Sequence, residues 1–193
     1  MSDNTIGGTF LSDDLMMRAM RGDRDAFACV VKTHERRLLH FAYRMVGDWD
    51  AAGDVVQDAF VRLWLSRAQY LPQGNDAAYL IRVVRNACID FVRAHKKWDH
   101  VCIDDDVPVM SPSCESQALS GALQEALGQA LLRLPESQRV VFVLSEFDGM
   151  TYQEISLVVG CPHGTVASRK FAACEALRRE LRPWLEGESD DRL

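Results

Sequence analysis

No apolar run in this chain approaches the ~20 residues that a membrane span requires; the longest is Val140-Val141-Phe142-Val143-Leu144. The opening MSDNTIGG has neither the basic nor the apolar region of an export signal, so a cytoplasmic protein is expected. Paired cysteines are missing as well. Cys29, Cys88, Cys102, Cys114, Cys161 and Cys174 form no CxxC, and several fall on apolar helix faces, which points to reduced core thiols rather than a disulfide framework. His34, His40, His95, His100 and His163 show no HExxH, no Gly-rich phosphate loop is present, and no Ser or Cys sits in a nucleophile motif. An enzyme is therefore not expected, nor a cofactor, nor a small-molecule substrate. His95, His100, Cys102 and Cys114 lack the short paired spacing of a zinc site, and no metal is assigned to them. The chain also lacks an excess of cations. It carries 22 Lys+Arg against 28 Asp+Glu, a net charge of −6. That balance is unusual for a protein that binds DNA unaided, because phosphate neutralisation supplies most non-specific affinity.

What is present is helical periodicity. At 193 residues and 48% hydrophobic, the chain has material for one or two modest cores. Apolar residues recur at helical intervals over residues 13–21, 24–46, 49–68 and 76–97, and again over 117–134 and 136–147. The run VVFVL invites a strand, but Pro135 suits a first helical turn and Ser137 to Phe147 fits one short helix. Between the two sets, HVCIDDDVPVMSPSCESQ has acids, two prolines and no helical period, and it reads as a linker. The expected fold is all-α: two small helical domains joined by an acidic flexible linker, the C-terminal one containing a helix-turn-helix.

That motif is read from MTYQEISLVVGCPHGTVASRKFAACEALRREL, Met150 to Leu181. Thr151 and Glu154 make a capping box for a first helix. Ser156 supplies a small residue where a second helix crosses, Gly160 tolerates the positive φ of the turn, and Val166 anchors the second helix in the first. Thr165 is expected to cap that second helix after Pro162 and Gly164. Val166, Ala173, Leu177 and Leu181 then share a buried face, leaving Ser168, Arg169, Phe171 and Ala172 toward the other side, with Lys170 also near the start of the helix.

Two further helices stand out. Over residues 76–97, Leu80, Val84, Ala87, Cys88 and Phe91 cluster on one side. Arg82, Arg85, Asn86, Arg93, Lys96 and Lys97 cluster opposite, facing a loop with Tyr70 and Tyr79, an arrangement that suits a nucleic acid strand. Ile89 sits within that polar stripe, which suggests that something contacts it. Over Ala51 to Trp64, the apolar content exceeds one stripe, and a surplus of that kind marks a protein interface.

In their order, these motifs resemble the bacterial sigma factors of the extracytoplasmic-function type. DVVQDAFVRLW is similar to the family's polymerase-clamp helix, AAYLIRVVRNACIDFVRAHKK to its minus-ten helix, and LPESQRVVFVLSEFDGMTYQEISLVVGCPHGTVASR to its minus-thirty-five domain. The resemblance implies region 2 over residues 10–98, a linker over 99–117, region 4 over 118–185 and an acidic tail over 186–193. It implies that Asp54, Gln57, Asp58, Phe60 and Trp64 bind core RNA polymerase, through its β and β′ subunits. It places Asn86, with Arg85, at a flipped minus-ten base, and Arg82, Arg93, Lys96 and Lys97 on promoter DNA phosphates. It puts Thr165, Ser168, Arg169, Lys170 and Phe171 at the minus-thirty-five major groove, and it implies an anti-sigma factor, usually membrane-linked. Departures from the family pattern are Ala167 directly after GTV, Ala172 and Cys174 farther along, and Asp76, Ala77 and Tyr79 before the minus-ten helix.

A stand-alone helix-turn-helix regulator remains the alternative reading. Only a sigma factor acquires the ability to melt DNA when core polymerase is added.

Overall fold

The computed structural model describes residues 7–72, 75–96 and 115–186. Among them every regular element is helical: α1 (Gly7–Met20), α2 (Arg24–Val46), α3 (Trp49–Leu65), a 3₁₀ turn (Arg67–Gln69), α4 (Asp76–Lys96), α5 (Glu115–Arg133), α6 (Glu136–Glu146), α7 (Tyr152–Val159) and α8 (His163–Glu186). The all-α expectation holds. The acidic stretch read as a linker lies outside the described residues except for 115–117, which open α5, and so do Lys97 and the tail from residue 187.

Local chemistry explains most helix boundaries. Asp23 accepts the Ala26 N–H and starts α2; Asp48 accepts the Ala51 N–H and starts α3. Between them, Gly47 ends α2 at φ 89°, with its N–H on the Tyr43 carbonyl. The same glycine permits a close approach, because a Cβ there would lie 2.5 Å from a Leu132 methyl of α5. The third helix stops at Leu65 rather than Ala68, where the Ser66 hydroxyl turns back to the Arg62 carbonyl and the chain tightens into the 3₁₀ turn. Tyr79 belongs to α4 and not to the loop before it. Its ring meets Tyr70 edge-on at 5.0 Å, and the Tyr70 hydroxyl donates to Asp76 at 2.6 Å.

Helices α1 to α4 pack around Met16, Leu38, Phe41, Met45, Leu80 and Val84, all essentially without exposure. In α5 to α8, Ala130, Leu131, Leu134, Ala173 and Leu177 form a second cluster. The two sets do not stand apart. Val140, Val141, Val143 and Leu144 of α6, Ile155 and Val158 of α7 and Val166 of α8 join the buried cluster of α1 to α4, with α2 against α5 and α6 and α4 against α7.

Cys88 is a fully buried thiol, pushed up to about 12 by burial, as expected of a core position. Cys161 and Cys174 are half-buried, whereas Cys29 is exposed and departs from the core reading. Of the weakly spaced His/Cys set, His95 is exposed and stacks on Phe91 at 3.9 Å; the other three lie outside the described residues.

Candidate nucleic-acid and protein interfaces

A groove of about 960 Å³ opens between α2 and α3. Phe27, Val31 and Leu39 form one wall, Trp49, Phe60 and Trp64 the other, and Glu35, Asp50 and Asp54 stand among the lining side chains. Phe27 meets Phe60 edge-on at 6.3 Å and Trp64 at 4.9 Å, while Trp49 stacks on Tyr43 at 4.0 Å. The aromatic walls are thus braced by ring contacts before any partner arrives. Leu65, at the end of the groove, is 73% exposed. Of the residues singled out from the sequence, Asp54, Gln57, Phe60 and Trp64 line this groove; Asp58 is exposed on the same helix but outside the lining. The α2 wall was missed. Phe27, Val31 and Leu39 read as ordinary apolar positions of an amphipathic helix, and only the packing of α3 beside them makes a groove. An apolar floor with acidic side chains suits a helical partner that presents apolar and basic residues.

The cationic helix α4 buries Leu80, Val84 and Cys88 as its pattern predicts. On the opposite side, the Arg82 guanidinium lies 5.5 Å from the Tyr79 ring centre, and Asn86 is exposed and accepts from Arg85 at 3.2 Å. Arg93 is exposed but ion-paired to Glu136 of α6 at 2.5 Å. Lys96 ends the helix. Arg85 is half-buried and also donates to the Val158 carbonyl of α7 at 3.4 Å. Burial lowers its pKa; Glu136 opposes that effect and Arg169 reinforces it, so cations of α4 and α8 lie within each other's field. Ile89, the apolar residue in the polar stripe, is only 9% exposed, so the chain itself covers it.

The helix-turn-helix has its capping box. Thr151 accepts the Glu154 N–H while the Glu154 carboxylate accepts the Thr151 N–H at 2.8 Å, which holds the Glu154 pKa below the usual carboxylate range. Gly160 takes the left-handed conformation, φ 72°, and ends α7. Ser156 does more than leave space: its hydroxyl donates to the Cys161 carbonyl at 2.5 Å and closes the turn. Thr165 is not the cap of the second helix. That helix begins at His163, and the Thr165 N–H already donates to the Pro162 carbonyl, because fixed proline geometry ahead of the first turn suffices to start it. Val166 and Ala173 have no exposure and Leu177 is buried, as expected.

On the outer side of α8, Ser168 and Phe171 are exposed. The Arg169 guanidinium lies 3.6 Å from the Cys161 sulfur, half-buried. Lys170 turns inward to Glu146 at 2.6 Å and lies 5.4 Å from the Tyr152 ring centre. Of the two cations at the start of α8, neither projects freely in this arrangement.

The model for sigma-70 region 2 matches residues 30–97, and that for sigma-70 region 4 matches residues 124–177. The chain is 30% identical over 189 residues to the RNA polymerase sigma-H factor of Pseudomonas aeruginosa, covering 89% of this chain and 94% of that one. It is 29% identical over 178 residues to the ECF RNA polymerase sigma factor SigW of Bacillus subtilis, covering 84% and 92%. Among solved structures, the sigma factor RpoE from Bartonella quintana, in complex with the anti-sigma factor NepR, superposes with a TM-score of 0.62 at 25% identity, over 81% of this chain and 96% of that one.

Proposed function

The chain belongs to the extracytoplasmic-function RNA polymerase sigma factors, and on that premise we propose that residues 10–98 act as region 2, 99–117 as a linker, 118–185 as region 4 and 186–193 as an acidic tail. The α2–α3 groove receives a helical element of core polymerase. Phe60 and Trp64 supply the apolar contact, and Asp54, Gln57 and Asp58 the polar ones.

Helix α4 works on the opened minus-ten element. Asn86, exposed and held by Arg85, reads an extruded base; Arg82, Arg93, Lys96 and Lys97 hold phosphates. Helix α8 enters the minus-thirty-five major groove with Thr165, Ser168, Arg169, Lys170 and Phe171, for which Arg169 and Lys170 must turn away from Cys161 and Glu146. An anti-sigma factor, expected to be membrane-linked, keeps the protein inactive by covering these faces; the complex of the Bartonella quintana RpoE with NepR supports such a partner. The protein performs no chemistry of its own. No described helix is long and apolar enough to cross a membrane.

The observation that carries this reading is the likeness of both regions, in order, along 94% of the sigma-H factor. The net charge of −6 agrees with it, because a subunit borrows DNA affinity from polymerase while a lone regulator must supply its own. Run-off transcription over a genomic fragment library, with and without core polymerase, tests it. Initiation at discrete promoters only when both are present is expected. Tight, sequence-specific duplex binding by the chain alone, unaffected by polymerase, would move the assignment to a free-standing regulator.

A further inference from the structure

Over the first turns of α8, Gly164, Ser168 and Phe171 are exposed, with Ala167 and Ala172 half-buried beside them, and none of these residues carries a charge. The cations of that stretch are held by the same helical unit. Arg169 is half-buried against the Cys161 sulfur at 3.6 Å, and Lys170, its side chain 24% exposed, reaches Glu146 of α6 at 2.6 Å and lies over the Tyr152 ring of α7. The Ser168 hydroxyl donates to the Thr165 carbonyl of its own helix. What projects is a ring: Phe171 is 68% exposed, with Ala167 one turn before it.

The second helix of a helix-turn-helix meets base edges through its N-terminal residues. The floor of the major groove presents donors and acceptors at every base pair and only one apolar group, the C5-methyl of thymine. A phenyl ring set against guanine or cytosine covers polar edges without pairing them, which costs free energy, whereas against a thymine methyl it buries apolar surface on both sides.

We propose that Phe171, flanked by Ala167 and Ala172, reads thymine methyl groups in the minus-thirty-five element, and that this contact sets a preference for thymine at one or two positions. The proposal rests on the reading of α8 as the minus-thirty-five helix and adds the chemistry that is read there. Arg169 can join only after leaving Cys161, while Phe171 already stands outward. An exposed ring also suits a protein partner, but the small neighbours Gly164, Ala167 and Ala172 favour the groove, because they let the helix come close enough to the base edges for the ring to reach them. The charge balance agrees. Methyl reading displaces no counterions, so it supplies discrimination without relying on phosphate affinity, which a net charge of −6 disfavours.

Deoxyuridine tests the contact atom by atom, since it removes the thymine methyl and leaves every donor and acceptor in place. The full chain with core polymerase is measured on a promoter from the run-off screen, with each minus-thirty-five thymine of either strand replaced in turn, by competition between the substituted and unsubstituted fragments at two salt concentrations. Wild type should bind several-fold less well when the methyl is lost at one or two positions, by a ratio that salt leaves unchanged. Phe171→Ala should bind the unsubstituted promoter several-fold less well and no longer distinguish thymine from deoxyuridine at those positions. Its far-UV circular dichroism and its binding to core polymerase should match wild type, because the ring is exposed. A wild type indifferent to every methyl, or a discrimination that persists in Phe171→Ala, overturns the proposal. So does a Phe171→Ala chain that loses core polymerase while keeping the discrimination, which would assign the ring to a protein contact. Ordinary base changes in the same element keep the two readings apart: sensitivity to them without sensitivity to deoxyuridine removes only methyl reading, and insensitivity to both removes the minus-thirty-five assignment of α8 itself.

Discussion

Arg139 of α6 donates one guanidinium nitrogen to the carbonyl of Met45, 94 residues earlier in the chain, where α2 is about to end. Its other terminal nitrogen serves the carbonyls of Leu132 and Leu134 at the end of α5. A side chain with 2% exposure thus supplies donors to two helix C-termini, where carbonyls have no intrahelical partner. Arg139→Met keeps the volume and removes every donor. It should cost about 3 kcal/mol of unfolding free energy, the value of hydrogen bonds from a charged group, read from urea denaturation. A loss below ~1 kcal/mol would mean that water replaces the guanidinium.

The capping box makes stability depend on pH. Backbone and side-chain hydrogen bonds from Thr151 hold the Glu154 pKa below its unfolded value, and Lys170 does the same for Glu146. A depressed carboxylate stabilises the fold fully above the unfolded value, about 4.3, and that contribution is lost as pH falls through the folded value. Unfolding free energy of the wild type should therefore fall with acidification below the ordinary carboxylate range. Glu154→Gln should flatten part of that slope. Thr151→Ala should cost about 1 kcal/mol near neutrality.

At the α2–α3 groove, Trp64→Ala should weaken binding to core polymerase by about 2 kcal/mol, roughly thirtyfold in Kd, the scale of a buried aromatic anchor. Competition against the unmodified protein for a limiting amount of core enzyme measures it. Asp58, outside the groove lining, should matter less when changed to Ala. Equal effects would mean that the aromatic wall is not the contact.

Direct base reading and phosphate holding predict different losses. Arg169→Ala should relax discrimination at one or two minus-thirty-five bases by about 1–3 kcal/mol, and Asn86→Ala should change preference within the minus-ten element. Arg93→Ala with Lys97→Ala should instead weaken open complexes on all promoters alike and lower the salt slope. Promoter-library transcription at two salt concentrations separates the patterns.

The thiols should label in an order set by burial. Cys29, exposed, should react with iodoacetamide at neutral pH, whereas Cys88, with its pKa near 12 and no exposure, should react only on unfolding. Peptide mass spectrometry after short exposures reports the order; early labelling of Cys88 would show that α4 leaves the core.

Much of this was legible before any coordinates. The Thr151–Glu154 pair caps a helix through residues three positions apart, and Gly160 ends that helix by a property of its own backbone. Such interactions are chain-neighbour chemistry, so a linear reading finds them. The division of α4 into an apolar and a cationic face follows from the 3.6-residue period in the same way. Even there, Thr165 was misread as a cap, because Pro162 had already set the helix going two residues earlier.

The sequence by itself determined the helices, their faces, the turn of the helix-turn-helix and the family. Tertiary structure decided which faces meet. That Arg93 finds Glu136, 43 residues on, and Arg37 finds Asp148, 111 residues on, depends on how two sets of helices pack, and an arginine's charge carries no record of its partner. The same holds for Lys170, expected to face DNA and turned to Glu146, and for the α2 wall of the groove, whose residues become a surface only beside α3. The physical reason is range: caps and periods act within one helical turn, whereas grooves, buried guanidinium contacts and the closed packing of the two halves arise from contacts between helices far apart in the chain.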